Sequence, residues 1–168
     1  ICFRWHHKVC FSGRSFRFAH LLTWRDLLVR CSDAIEKLKK AAGAHGTHTV
    51  GIAHTRWATH GGKTDRNAHP HHDMKNRVAL VHNGVIQNAN ELRNEMKKAG
   101  VEFRSETDTE VIVQLIGRYL DGGADLVEAV KQATSRLDGT WGICVIHKDA
   151  PDTIVAARNG SPLLIGVG

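Results

Sequence analysis

The chain has 168 residues, which is the length of one domain, and its hydrophobic content of 42% is enough to build a core. Most of its formal charge of +6 lies in the first thirty residues, and the rest has no basic stripe with interleaved aromatic residues, so we expect no nucleic-acid binding. No apolar run approaches the roughly 20 residues that a membrane-spanning helix needs, so we expect no membrane partner.

Residues 1–30 differ in composition from the rest of the chain. They are rich in Arg, His and aromatic residues, and Asp26 is their only acidic residue. An Arg-rich, acid-poor start is typical of an organellar transit peptide, and sequence flanking a gene fragment can have the same composition. The segment shows no strand alternation. We therefore expect a leader over residues 1–30 that supplies no strand, followed by one partial domain over residues 31–168.

From Asp33 onward, hydrophobic periodicity and capping residues predict regular elements. In chain order they are a helix that begins at Asp33, strands at Val50–His54 and Val78–His82, a helix capped by Asn88, a short strand at Val101–Arg104, helices that open at Thr107 and Asp125, and strands at Trp141–His147, Thr153–Arg158 and Leu163–Val167. Strands and helices mix without a steady βαβ alternation. This pattern favours the α+β class, with helices on the faces of layered strands.

The cysteines indicate reduced thiols. Cys2, Cys10, Cys31 and Cys144 form no CxxC pair, which argues against a zinc ribbon. No signal peptide precedes them, so we expect a cytoplasmic location. Cys144 lies in an apolar strand pattern that is typical of the core.

Four residues, at three places in the sequence, are suited to binding or catalysis. Arg56 follows a buried-looking strand, where its planar fork suits a bound carboxylate or an internal ion pair. Asn83 and Gly84 follow a second strand and suit either a hairpin turn or a pair of oxyanion donors. Asp108 lies in a capping box, where a carboxylate can cap the helix or hold an ammonium group.

The segment His69–Asp73 contains residue types that bind metals. It reads His-Pro-His-His-Asp, a spacing that fits no closed zinc pattern. A solvated loop is the expectation, so no metal is assigned. A metal-dependent hydrolase built on these histidines remains a minor alternative.

Several motifs together resemble one family. HTRWATHG at 54–61, NAHPH at 67–71, VHNGVIQN at 81–88, SETDTEV at 105–111 and GSPLLIGVG at 160–168 are similar to the glutaminase domain of the glutamine–fructose-6-phosphate amidotransferases, which are class II glutamine amidotransferases. The resemblance runs from about Asp33 to Gly168. It implies an αββα sandwich of the N-terminal-nucleophile hydrolase type, here incomplete at its N-terminal strand.

The resemblance also implies a reaction and a set of residue roles. An N-terminal Cys attacks the glutamine amide with its own α-amino group as base, releasing ammonia and then glutamate. No cofactor is implied. The partners would be glutamine and, only through isomerase domains not present in this sequence, fructose 6-phosphate, in an enzyme expected to be a homo-oligomer. The implied roles are glutamine carboxylate binding by Arg56, α-amino binding by Asp108, pocket lining by Thr59 and His60, oxyanion stabilisation by Asn83 and Gly84, and ammonia exit beside Trp57.

The sequence departs from the family at the nucleophile. The expected Cys-Gly start does not occur: Cys2 is followed by Phe3 and preceded by Ile1, so its nitrogen is an amide. A thiol without that amino base has little thiolate at neutral pH. We therefore expect a poorly folding, inactive copy of the glutaminase half of an enzyme that makes glucosamine 6-phosphate. The alternative is a non-catalytic glutamine-binding or regulatory domain that uses the same pocket.

Overall fold

The computed structural model describes residues 2–5, 19–23, 27–31, 50–54, 62 and 64–165, with side chains from Val50 onward except that of Ala53. The described strands form two antiparallel sheets of four strands each. The described helices cover one face of the second sheet. This arrangement confirms the α+β class.

The first sheet has the strand order β1-β4-β2-β3. Its strands are β1 Cys2–Trp5, β2 Ala19–Thr23, β3 Leu27–Cys31 and β4 Val50–His54. The prediction that residues 1–30 supply no strand is therefore wrong, because three strands begin in this segment and pair with β4 or with each other. Strands of four or five residues are too short for alternation to stand out in a sequence.

The second sheet has the strand order β5-β6-β7-β8. Its strands are β5 His71–His72, β6 Val78–Ile86, β7 Gly139–His147 and β8 Ala150–Asn159. β6 and β7 pair along their whole lengths, from Val78 opposite His147 to Ile86 opposite Gly139. β6 is thus an inner strand, and its position relative to β7 is fixed at every residue.

The described helices are α1 Ala89–Lys98, α2 Asp108–Asp121 and α3 Leu126–Thr134. Side-chain caps begin two of them as predicted: Thr107 accepts a hydrogen bond from the Glu110 backbone, and Asp125 accepts one from Glu128. Such caps satisfy N–H groups that have no partner within the helix. Asn88 differs, because its side chain makes no cap but bonds to the Arg136 carbonyl and the Asp138 amide.

The alternation of β6 separates two cores. Val78 and Leu80 face the helices in the larger core, whereas Ala79 and Val81 face the first sheet. The smaller core also holds Ile52 of β4, together with Cys144 and Ile146 of β7. Within the described residues, the molecule therefore stacks one sheet on a second sheet and the second sheet on a layer of helices.

Some predicted elements differ or lie outside the described residues. Val101–Arg104 and residues 163–165 are not strands, whereas β4 has the predicted bounds. The predicted helix from Asp33 lies outside the described residues. In the part of the chain that is described, no helix has the length and apolar character needed to span a bilayer.

Candidate functional site

Asn83 and Gly84 lie inside β6 and not in a hairpin turn. They pair with Gly142 and Trp141 of β7. Gly84 has a φ of 130°, and a Cβ at this position would lie only 2.0 Å from the Thr140 carbonyl oxygen. The alternative of a two-residue turn is therefore wrong, because β6 continues through both residues to Ile86. Glycine is required here by backbone conformation and by the close approach of β7.

Asp108 is the first residue of α2, and its carboxylate is directed at β6. Its Oδ2 accepts a hydrogen bond of 3.0 Å from the Ile86 backbone N–H, and its Oδ1 lies 3.9 Å from Nδ1 of His82. The cap itself is Thr107, so the alternative of Asp108 as the capping residue is wrong. The carboxylate therefore lies beside the same short stretch of β6 that contains Asn83 and Gly84.

A buried carboxylate and a half-buried guanidinium fix the segment that leads into α2. Both carboxylate oxygens of Glu110 accept hydrogen bonds, from the backbone N–H of Arg104 at 2.7 Å and from that of Ser105 at 2.6 Å. The Arg93 guanidinium of α1 donates to the carbonyls of Ser105 and Thr107 at 2.9 and 2.5 Å. These bonds satisfy backbone groups outside regular structure, and they hold the start of α2, and hence Asp108, against α1.

Four buried histidines lie between the two sheets and the start of α2. They are His54, His69, His71 and His82, each less than 7% exposed. The expectation of a solvated loop at His69–Asp73 is therefore wrong: the rings of His69 and His71 turn inward and contact the hydroxyls of Thr109 and Thr107, each at 3.0 Å. Burial of an imidazole is tolerated when its nitrogens are hydrogen-bonded.

His54, the last residue of β4, connects this histidine cluster to Asn83. Its Nε2 lies 2.5 Å from Oδ1 of Asn83, and its ring stacks on His69 at a centroid distance of 4.2 Å. The contact joins the end of the first sheet to the inner strand of the second. Sequence reasoning missed His54 and His82 as site neighbours. The sequence did contain a signal for His82, because strand alternation puts it on the same face of β6 as the core residues Val78 and Leu80.

Of the remaining candidate residues, the structure describes the side chain of Cys144 only. Arg56, Trp57, Thr59 and His60 lie outside the described residues. Cys144 is fully buried in β7, and burial raises the pKa of its thiol, which suits a core residue and not a nucleophile. Among the described His, Cys, Asp and Glu side chains, no group of three could hold a metal ion.

The layers and the site together define a class of protein. A buried carboxylate lies beside one inner strand of a double-sheet α+β fold, and an Asn-Gly pair lies within that strand. This is the layering of the N-terminal-nucleophile amidotransferases. Solved structures agree with this class. A glutamine phosphoribosylpyrophosphate amidotransferase from B. subtilis, complexed with ADP and GMP, matches with a TM-score of 0.68 and 24% identity, covering 88% of this chain and 32% of that one. The allosteric regulatory enzyme of purine biosynthesis matches with a TM-score of 0.67 and 26% identity, covering 80% and 30%.

The sequence comparisons give the family. The glutamine amidotransferase domain model matches residues 54–167, and the chain belongs to this family. The glutamine–fructose-6-phosphate aminotransferase (isomerizing) of Thermotoga maritima is 56% identical over 119 residues, which is 71% of this chain and 19% of the relative. That of Chlorobaculum tepidum is 46% identical over 147 residues, 84% of this chain and 24% of the relative. The chain thus spans about a fifth to a quarter of the length of these curated relatives.

Proposed function

We propose that this domain is the glutaminase half of an enzyme that makes glucosamine 6-phosphate and glutamate from fructose 6-phosphate and glutamine. The observation that carries the proposal is that the Asp108 carboxylate lies beside the stretch of β6 that contains Asn83 and Gly84. An anionic group beside neutral donors matches an amino-acid substrate whose side-chain amide acquires negative charge during hydrolysis. The relatives named above support fructose 6-phosphate as the acceptor, bound outside the described residues.

In this proposal Asp108 holds the α-ammonium group of glutamine, and Asn83 and Gly84 stabilise the oxyanion of the tetrahedral intermediate. Arg56 is the second residue after His54 in the sequence, and its guanidinium binds the α-carboxylate in bidentate geometry. Thr59 and His60 line the glutamine pocket, and Trp57 lies where ammonia leaves.

The glutamine site is tested by a pair of helix-start carboxylates. Asp108→Asn keeps an oxygen that can accept the Ile86 N–H but removes the charge, so glutamine affinity should fall by roughly 2–5 kcal/mol, the cost of leaving a bound charge without its partner. As a control, Asp125→Asn removes the same charge from the exposed capping residue of α3, where an Asn side chain can still cap the helix, and should leave affinity unchanged. Calorimetric titration with glutamine measures both, and equal affinities in the two variants would exclude Asp108 from the site.

We also propose that the chain does not hydrolyse glutamine while Ile1 precedes Cys2. An amide nitrogen cannot act as the base that the Cys2 thiol needs. Cys2 pairs with Ala53, the residue before His54, so β1 begins beside the end of β4 that contacts Asn83. Removal of Ile1 frees the amino group at this position.

The nucleophile is tested by glutamate release from two matched chains. One begins at Cys2, and the other retains Ile1 before it. We expect activity in the first chain only, and its loss on Cys2→Ala. Equal activity in both would assign the chemistry to another group. Glutamine binding without glutamate release in either chain would favour the non-catalytic glutamine-binding domain.

A further inference from the structure

The contact between His54 and Asn83 defines which end of the Asn83 amide is held. Nε2 of His54 lies 2.5 Å from Oδ1 of Asn83. A carbonyl oxygen can only accept a hydrogen bond, so Nε2 must carry the proton and donate. Asn83 is exposed, whereas His54 is buried, so the bond holds a reachable amide from its protected side.

We propose that His54 is a positioning residue for the oxyanion donor. By holding Oδ1, it leaves the Asn83 amide nitrogen at the opposite corner of the planar group, where its N–H bonds are directed at developing negative charge. The reversed amide would present an oxygen to the oxyanion and would repel it. This inference rests on the proposed function, because it assigns a role within the same site.

The neighbouring rings keep His54 in place. His54 stacks on His69 with an interplanar angle of 26°. The His82 backbone N–H donates to Nδ1 of His69 at 3.4 Å, so the proton of a neutral His69 lies on Nε2 and is donated to Thr109 Oγ1 at 3.0 Å. His69 is thereby oriented at both nitrogens, and it supports the ring that holds Asn83.

The same chain of contacts reaches the carboxylate of the site. Thr109 directly follows Asp108 in α2, and its hydroxyl also lies 3.0 Å from Nδ1 of His82. The network therefore runs from the start of α2 through His69 to His54 and ends at Asn83. Hydrogen bonds link Thr109 to His69 and His54 to Asn83, and ring stacking joins the two histidines, so these contacts together restrain the groups at both ends. The donor and the carboxylate are thus set by one continuous structure.

The tautomer of His54 tests the arrangement directly. In ¹⁵N NMR spectra of the 168-residue chain with labelled histidine, His54 should have a protonated Nε2. His54→Gln serves to assign the signal. A neutral His54 with its proton on Nδ1 would overturn the proposal, because that ring cannot donate to Oδ1 of Asn83.

Ligand binding separates positioning from a general structural role. Two probes are titrated: glutamine, whose amide is planar, and L-homocysteate, whose γ-sulfonate is a tetrahedral anion. His54→Phe should weaken L-homocysteate binding at least about tenfold more than glutamine binding, as expected when an oxyanion donor is misdirected. His54→Gln retains an N–H donor and should restore the preference. His147→Phe, at the far end of β7, should change neither affinity.

The outcomes distinguish this inference from the proposed function. Parallel losses of both ligands in His54→Phe, or no restoration by His54→Gln, would overturn the positioning role. If the unchanged chain binds neither ligand, the proposed function fails, and the tautomer of His54 still decides whether the ring donates to Asn83. If His54→Phe does not fold, the comparison of His54→Gln with the unchanged chain and the NMR measurement decide the question.

Discussion

Gly84 contributes to the sheet as well as to the site. A Cβ at this residue would lie 2.0 Å from the Thr140 carbonyl oxygen, far inside any normal contact distance, and the φ of 130° is unfavourable for other residues. Loss of activity on substituting Gly84 therefore cannot by itself be read as loss of an oxyanion donor. A substitution at Asn83 is the cleaner test of oxyanion chemistry.

Two destabilising effects of a side chain at Gly84 can be separated: its contact with the Thr140 carbonyl and the unfavourable backbone conformation. Gly100, which ends α1, also has a positive φ, of 84°, but a Cβ there would meet nothing within 4 Å. Gly100→Ala should lower the free energy of unfolding by about 1–2 kcal/mol, the cost of a left-handed conformation alone. Gly84→Ala should lower it by at least about 2 kcal/mol more, since β7 must move. Urea unfolding measures both, and equal losses would mean that β7 yields without cost.

At the scale of elements, the start of α2 is where stability and the site meet. Glu110 and Glu128 occupy the same position, the third residue of a capped helix, but in different surroundings. Glu110 is buried and accepts from the Arg104 and Ser105 backbone, whereas Glu128 is exposed. Only the first carboxylate fixes the segment before its helix.

This pair gives a matched prediction. Glu110→Gln should lower the free energy of unfolding by about 2–4 kcal/mol, since it removes a charged acceptor and leaves a buried N–H group unsatisfied. It should also weaken glutamine binding, because Asp108 follows the segment that Glu110 holds. Glu128→Gln should change stability by less than about 0.5 kcal/mol. Thermal unfolding and calorimetry measure both effects. A stable Glu110→Gln chain with full glutamine affinity would contradict this role.

Local signals in the sequence predicted most of the helices and strands of residues 50–165. Thr107 and Asp125 cap their helices as predicted, because capping depends on residues within one turn. Asn88 has the predicted N-cap position, but its side chain does not cap the helix, because its partners, Arg136 and Asp138, are 48 and 50 residues away. The same limit applies to the site. Asn83 and Asp108 were predicted as site residues from motifs, and this stays a prediction, but the histidines behind them depend on contacts between sheets that no local pattern reports.

At the scale of the whole molecule, the first sheet shields one face of the second. Ile52 of β4 packs with Val81, Cys144 and Ile146 in the smaller core. β4 lies between β1 and β2 in this sheet. The other three strands, β1, β2 and β3, all lie within residues 1–31. These strands are therefore expected to be needed for cooperative folding, in contrast to the leader expected from the sequence.

Deletion of residues 1–31 tests this expectation. The shortened chain leaves β4 without paired neighbours and exposes the smaller core, so it should bind a hydrophobic dye and lose near-ultraviolet circular dichroism while keeping its helical signal. Because β1 and β2 pair with β4, we no longer expect the poor folding inferred from the sequence, and the 168-residue chain should unfold in one cooperative transition. A sharp transition in the shortened chain, at the same temperature as in the full chain, would show that residues 1–31 do not support the core.

The strict alternation along β6 has a consequence for how this domain can change. Asn83, like the other odd-numbered residues of β6, lies on the side of His54. His82, like the other even-numbered residues, lies on the side of Asp108. Inserting or deleting one residue before Val81, while the start of β6 keeps its pairing, would exchange these sides, separating the Asn83 amide from its histidine and turning Val81 out of its core. A shift of one residue within β6 would therefore disrupt the site and the core packing at the same time. We therefore expect related chains to differ in β6 by substitution and to differ in length only in the connections between elements.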